Sequence, residues 1–579
     1  MKTNRKTPLK TDFECDLHRE KIPFSDYPRP SLKRSSYFCL NGEWDFWTKE
    51  KETVSSRKKI LVPFPPESRL SGIEKSFGKE TVLFYERTFT LPENFINDRV
   101  FLHFGAVDQS SEVFINGQKV GENHGGYLPF FFDITPYLKN GENKISVQVK
   151  DPLDRKFPYG KQTEKPSGMW YTSVSGIWQT VWLESVPKNH IKNLKIVTTD
   201  KEATIFVNGG EEKKKLILHG FGSATEYHFS GNCFKLSLPN GKMWSPEEPN
   251  LYSFSILSGE DRVESYFALR KISVEKIGET PLLFLNGKPY YFHGVLDQGY
   301  FPDGIFLPAS SRGYREDILK MKKCGFNLLR KHIKLEPEIF YYECDRLGIA
   351  IFQDMINNGK YSFFRDTLLP TLGIKKGIRV KRTKEEKEEF LKTCIGIQKV
   401  LHNHPSVLYY TIFNEGWGQF DSDFCYDLLK KEDPSRICDT TSGWFFETKS
   451  DVDSHHIYFK KLKLPIPSEK PAVLSEFGGF SCKIKGHSFL DKGEYGYRFF
   501  KDKKEWAKAI ETLYEKEVLP LAEKGLCATV LTQLSDVEEE TNGILTYDRK
   551  ITKAEPEKFF SLAKKIKDAF YKNFPCDLK

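Results

Sequence analysis

From about Pro281 to its C-terminus the chain alternates short apolar runs with amphipathic stretches. Few architectures accept that alternation over about 300 residues. Tyr290–Gly294 reads as a strand and Arg312–Cys324 as an amphipathic helix. Phe326–Arg330 is strand-like, Pro337–Leu347 helical and Ile349–Asp354 strand-like again. After a long loop from about Asn357 to Thr383, Lys384–Leu401 has helical spacing and an acidic first turn, which suits the positive end of a helix dipole. The strands Val407–Phe413 and Ala472–Ser475, the helix Lys503–Lys524 and the strand Ala528–Leu534 follow. About eight such units predict a (β/α)8 TIM barrel over residues 278–579. A doubly wound sheet is the competing reading, but no glycine-rich phosphate loop follows the first strand.

The preceding residues carry a different rhythm. Val82–Leu91, Val100–Phe104, Ser111–Ile115, Lys144–Lys150 and Gln179–Glu184 are short and strand-like, punctuated by Asn116-Gly117 and Asn140-Gly141. Such dipeptides supply the positive φ of tight turns, so residues 1–187 predict an all-β sandwich. Residues 188–277 form a second β module of immunoglobulin-like size, with Leu194–Thr198, Thr204–Asn208 and Lys215–His219 among its strands. A multidomain chain of two sandwiches and a barrel agrees with the length prior.

Composition removes several function classes. A net charge of +9 over 579 residues is mild, and the run Lys213 to Lys215 lacks interleaved aromatics, so it reads as a solvated hairpin tip rather than a nucleic-acid surface. The 11 cysteines are scattered with no C-x-x-C pair, which suits reduced thiols in a cytoplasm. Met1 to Glu20 is polar, and no apolar window reaches membrane length, so neither a signal peptide nor a membrane partner is expected. The 14% aromatic content suits sugar binding, although β-sandwiches use aromatics too. The two β domains offer surface for extra sugar contact or for a homo-oligomer.

A barrel places its active site at the C-terminal ends of its strands. Two apolar strands end in a carboxylate: Val407–Phe413 opens into Asn414-Glu415-Gly416-Trp417, and Ala472–Ser475 into Glu476-Phe477-Gly478-Gly479. Cleaving a glycoside needs two carboxyl groups, one to protonate the leaving oxygen and one to attack or to activate water. Close together, the two also split their pKa values, so one stays protonated. A glutamate after a strand is more often an ordinary loop residue, and it is the pairing that favours catalysis. His402-Asn403-His404 superficially resembles a nuclease triplet, and His455-His456 a metal pair. Neither has the ligand count of a zinc site, so no metal or other cofactor is expected.

The strings around these residues resemble glycoside hydrolase family 2, the group of β-galactosidases, β-glucuronidases and β-mannosidases. The resemblance runs through Leu40-Asn41-Gly42-Glu43-Trp44, Tyr85-Glu86-Arg87, Val113-Phe114-Ile115-Asn116-Gly117 and Ser175-Gly176-Ile177-Trp178-Gln179. It continues in Leu285-Asn286-Gly287-Lys288-Pro289, Gly325–Arg330, Phe413-Asn414-Glu415 and Ser475-Glu476-Phe477-Gly478. It implies a jelly-roll-like sandwich, an immunoglobulin-like sandwich, a catalytic barrel and retention of anomeric configuration. Glu415 matches the acid/base and Glu476 the nucleophile, with the roughly 5–5.5 Å carboxyl separation of retaining enzymes. Asn414 would bond the sugar 2-hydroxyl, and Arg330 would pair with the nucleophile. Asp297, Asp354, Trp444, Tyr458 and Gln533 follow other strands and would line the pocket. His456 would belong to it from the sixth strand, and His332 loosely replaces a family histidine.

Departures from the family bear on the sugar. β-Glucuronidases carry Asn-x-Lys after the eighth strand to hold the sugar carboxylate, whereas this chain has Glu540-Thr541-Asn542 beside Glu538 and Glu539. A uronate would be repelled unless Lys331 or another base supplies the charge, so a neutral sugar ranks first, with β-galactoside as the default. β-Glucuronidase, β-galacturonidase and β-mannosidase activities are the alternatives. A carbohydrate-binding protein without catalysis is the reading from another class.

Overall fold

Burial explains why the two halves of the sequence read so differently. The structure, a computed structural model, describes residues 8–18, 22–220, 224–374, 381–446 and 448–576. Strand Glu142–Lys150 alternates outward residues with the buried Ile145, Val147 and Val149. It is central to an antiparallel sheet, between Val82–Thr90 and Ser110–Ile115. A second sheet runs Tyr37–Cys39, Val181–Val186, Arg99–Phe104, Phe130–Asp133. Trp44, Tyr85, Leu102, Val147 and Leu183, drawn from both, share one apolar cluster, so each strand shows one face to the core and one to water.

The next module is a three-stranded sheet (Ile191–Thr198, Glu202–Gly209, Cys233–Ser237) and a four-stranded one (Ala224–Ser230, Lys213–His219, Tyr252–Ser258, Asp261–Phe267) around Ile205, Leu216 and Ile256. The lysine run here differs from a solvated tip. Lys214 falls on the inward register of Leu216 and Leu218, is 4% exposed, and donates to the Gly231 carbonyl at 3.0 Å. The hairpin of Ile272–Ile277 and Thr280–Leu285 straddles position 277, and Leu282–Leu285 already belong to the barrel core. The His402-Asn403-His404 triplet is a joint between these bodies: Asn403 accepts from Ile196 N at 2.9 Å and donates to Leu194 O at 2.8 Å. His404 is buried against Asp345 at 2.7 Å.

Eight parallel strands form the barrel: β1 (Phe292–Asp297), β2 (Leu328–Lys331), β3 (Ala350–Asp354), β4 (Val407–Asn414), β5 (Ile437–Ser442), β6 (Asp453–Ile457), β7 (Ala472–Gly478) and β8 (Leu526–Thr532). All but β6 are buried along their whole length, which is why they read as unbroken apolar runs rather than as alternation. The ladder runs β5-β4-β3-β2-β1-β8-β7-β6. Between β5 and β6 side chains close the ring: Ser442 Oγ lies 2.9 Å from His456 Nε2. Helices Arg312–Lys323, Glu338–Leu347, Lys384–Leu401, Ser422–Glu432, Lys503–Leu513 and Pro556–Asn573 pack outside. The helix at 384 starts on a capping box in which Thr383 Oγ1 accepts from Glu386 N at 3.1 Å and Glu386 answers at 2.9 Å.

Eight full strand–helix units are not present. Among the described residues no helix follows β5 or β6, and the stretch after residue 513 passes through one π turn before Leu519–Ala522. The N-terminal segment, read with the first sandwich, instead rests on the barrel: Leu9, Phe13 and Phe24 join its core, and Thr11 N donates to Asp303 at 3.0 Å. All eleven cysteines are free. Among the described residues no helix is long and apolar enough to cross a membrane.

Candidate active site

Strand β4 leaves the barrel through a sharp turn. Glu415 takes a left-handed conformation (φ 54°) and Gly416 follows at φ 70°. A Cβ on Gly416 would lie 2.2 Å from the Phe445 ring, so only glycine fits. Trp444 Nε1 fixes the turn by donating to the Glu415 carbonyl at 2.9 Å and to the Asp366 carbonyl at 3.0 Å. Glu476 reaches the same place from within β7. Its pairing with β6 moves from His455↔Leu474 to His456↔Glu476, and that with β8 from Leu474↔Thr529 to Phe477↔Leu531. The strand absorbs one extra residue there, and such a bulge re-aims a side chain.

The two carboxylates converge on His456. One oxygen of each and one His456 ring nitrogen lie within 4.8 Å of one another. His456 Nδ1 is 2.9 Å from Glu415 Oε1 and 3.5 Å from Glu476 Oε2. Arg330 Nη1, which can only donate, is 3.2 Å from His456 Nε2, so that nitrogen accepts. Burial pushes the imidazole down to about 3. The ring is therefore neutral, and the hydrogen-bond network places its proton on Nδ1, facing Glu415 Oε1. Burial also raises the Glu415 carboxyl above its ordinary value, against the opposing charges of Lys161, His332 and Arg330. Oε2, which no other described residue engages, is where a proton on this carboxyl would sit. Its side chain keeps 12% exposure, against 6% for Glu476.

Arg330, at the end of β2, is the hub below them. It donates to Asp354 Oδ1 at 3.0 Å, Glu476 Oε1 at 3.0 Å, the Ser475 carbonyl at 3.0 Å and Asn414 Oδ1 at 2.9 Å. His332 Nδ1 takes the other Asp354 oxygen at 2.6 Å. Tyr458 donates to Glu476 Oε2 and stacks on Tyr497 with centroids 3.9 Å apart. Both Glu476 oxygens are thus occupied by donors, and His456 Nδ1 is itself spent as a donor to Glu415 Oε1. Although Glu415, His456 and Glu476 could bracket a cation, this donor set suits proton and charge handling rather than a metal.

Two further expected residues are engaged by partners of their own. Asp297 is the register partner of Lys331 across β1 and β2, and Lys331 Nζ holds it at 2.6 Å while binding Glu336 at 2.9 Å. Gln533 donates to Asn542 Oδ1 at 2.7 Å and Glu540 Oε2 at 3.2 Å.

The sequence gives no local signal for a further wall of the site, an arm of the N-terminal domain spanning residues 157–172. Tyr159 N and Gly160 N donate to the Asn357 carbonyl at 3.2 and 3.3 Å, and Tyr159 OH to the Gly359 carbonyl at 2.8 Å. Gly160 (φ 64°) presses so close to the loop after β2 that a Cβ would sit 2.7 Å from Ile333 O. Further along, Gly168 N donates to Glu539 at 2.9 Å, Thr172 N to Glu538 at 3.0 Å, and Tyr171 OH to Glu540. The acidic run after β8 is therefore the arm's docking strip. Trp170 packs between Trp417 and Tyr361 at centroid distances of 5.0 and 4.9 Å. The loop read at 357–383 lies against this arm in its described part, while residues 375–380 fall outside the described residues.

Two family descriptions match the chain: "Glycosyl hydrolases family 2, sugar binding domain" over residues 73–187 and "Glycosyl hydrolases family 2, TIM barrel domain" over residues 276–476. Together they cover more than half of it. A β-galactosidase of Thermoanaerobacter pseudethanolicus is 25% identical over 446 residues, 71% of this chain and 56% of that one. The β-glucuronidase of Felis catus is 27% identical over 400 residues, 57% of this chain and 58% of that one. The chain spans between 28% and 58% of the length of the curated relatives it matches. In fold it is similar to the β-D-glucuronidase of Dictyoglomus thermophilum (TM-score 0.72, 19% identity, 95% of this chain and 100% of that one). It is also similar to a β-galacturonidase from Eisenbergiella tayi bound to galacturonate (TM-score 0.69, 18% identity, 94% and 99%).

Proposed function

The chain belongs to glycosyl hydrolase family 2, and on that premise we propose that it is a retaining exo-β-glycosidase working by double displacement. The observation that carries this reading is the convergence of Glu415 and Glu476 within 4.8 Å at the ends of two barrel strands. That spacing favours retention, since inverting pairs stand roughly 6.5–9.5 Å apart to admit a water. In this mechanism Glu476 attacks the anomeric carbon while Glu415 passes the proton on Oε2 to the leaving oxygen. Glu415, now ionised, takes a proton from the water that releases the sugar. Asn414 gives its Oδ1 to Arg330, which leaves Nδ2 to donate to the 2-hydroxyl. The arm closing one side of the mouth supports action at chain ends. The relatives' names, β-galactosidase and β-glucuronidase, support a β-glycoside substrate. Eleven free thiols suit the reducing cytoplasm.

The preference for a neutral sugar, with β-galactoside as default, rests on there being no cation at the mouth. Lys161, on the arm, removes that premise, and its consequence is argued below. A panel of aryl β-glycosides followed by proton NMR tests the reaction itself: the first-formed sugar is the β-anomer. An α-anomer first overturns retention, and sugar binding without turnover on any glycoside puts the chain in the non-catalytic class.

Glu415→Ala provides a further test. Loss of the general acid costs roughly 10²–10³-fold in kcat/KM on alkyl or sugar leaving groups, and much less on nitrophenolate, which needs no proton. The raised Glu415 pKa has a defined sign. The acid form is active and persists above the ordinary carboxylate range, so activity falls as pH rises through that shifted value. In Glu415→Ala that alkaline limb is absent. An unchanged limb would assign it to another group.

A further inference from the structure

Lys161 is 9% exposed, and its ammonium lies 5.7 Å from the Trp170 ring centroid. Among the described residues no carboxylate stands within 4.0 Å of it, and no hydrogen bond holds its Nζ. The other lysines at this end are spent: Lys331 on Asp297 and Glu336, Lys334 on Glu336 at 2.9 Å. Tyr171 N donates to the Lys161 carbonyl at 3.0 Å while Tyr171 OH binds Glu540, and the Trp170 ring under the ammonium packs on Trp417, two residues after Glu415. This places Lys161 between the acid/base and the loop after β8. The neighbouring acids do not compete for a ligand's place. Glu538 and Glu539 accept from arm backbone amides, and Glu540 accepts from Tyr171, Gln533 and Asn542. A buried cation without a partner is costly unless something bound there supplies the counter-charge.

We propose that Lys161, carried in by the N-terminal domain, is the residue that reads an oxyanion on the substrate's sugar, so that the preferred glycosides bear a carboxylate or a sulfate ester. This rests on the exo-glycosidase reading above and names its substrate class. Lys161 contributes a charge-assisted hydrogen bond to that oxyanion, and the bond-breaking steps remain those of Glu476 and Glu415.

The test compares kcat/KM of the full chain and of Lys161→Met and Lys161→Arg on nitrophenyl β-D-glucuronide, β-D-galacturonide, 6-sulfo-β-D-galactoside, β-D-glucoside and β-D-galactoside. The wild type prefers an anionic member. The uronide and sulfate arms identify which oxyanion it takes. Lys161→Met lowers the ratio of anionic to neutral kcat/KM about 30- to 100-fold, chiefly through KM, and Lys161→Arg recovers part of it. Thermal melts of both variants show that the fold persists. A ratio that does not move, or a wild type that cleaves only neutral sugars, overturns the proposal while leaving the exo-glycosidase reading intact. No turnover on any member sinks both.

Discussion

Glu476→Gln lowers kcat roughly 10⁴-fold on every glycoside the wild type cleaves, the scale seen when a member of a covalent catalytic unit is removed. Glutamine keeps the shape of the side chain: its Oε1 can still accept from Arg330, and its NH2 then faces the Tyr458 hydroxyl, which can turn to accept. What it cannot do is bond to the anomeric carbon. Because the bulge in β7 aims this position by backbone geometry, the substitution disturbs chemistry and not placement. Glu476→Gly with added azide gives a diagnostic product. Azide enters the vacated face and forms the α-azide, whereas the same rescue of a Glu415 variant forms the β-azide. Reading the two products by NMR assigns the roles independently of rate. If Glu476→Gln keeps even a tenth of wild-type turnover, another group is the nucleophile.

Arg330→Met has the second large effect, and it falls on stability as well as rate. The side chain is 1% exposed and pairs with Asp354 and Glu476 while bonding Asn414. Methionine fills much of the volume but leaves two buried carboxylates facing each other without a cation. Breaking such a pair from one side costs about 3–5 kcal/mol, measured as a fall in urea midpoint. Activity falls at least about 100-fold as Glu476 and Asn414 lose their common anchor. Adding Asp354→Asn removes one stranded charge, so the double variant is more stable than Arg330→Met alone. A double variant no better than the single would show that the ion pair is not what holds this layer.

The parts of this site written locally were legible in the sequence. Asn414-Glu415-Gly416 could be placed because an apolar strand ran straight into a carboxylate and a glycine, and the positive φ values there explain the glycine. Arg330 and His456 followed from the same rule of strand ends. Asp297 shows the limit of that rule: it does end a strand, but the next strand sets Lys331 opposite it in register, and the ion pair ties it down. Strand position predicts where a side chain starts, and neighbours decide what it meets. Among the described residues no helix follows β5 or β6, where only the count of units suggested one. The arm was invisible for a different reason. Its residues are ordinary within the sandwich sequence, and their meaning comes from loops hundreds of positions away.

That separation sets an order of events as the chain is made. Tyr171 and Glu540, joined by a hydrogen bond, are 369 residues apart in sequence. The first domain can fold during synthesis, at about 5–20 residues per second, long before its docking strip exists. Until β8 and the acidic run emerge, Gly168, Tyr171 and Thr172 lack the carboxylates they dock on. The pocket is consequently among the last features to form, and a chain that stalls short of residue 538 carries Glu415 and Glu476 but not the strip on which the arm docks.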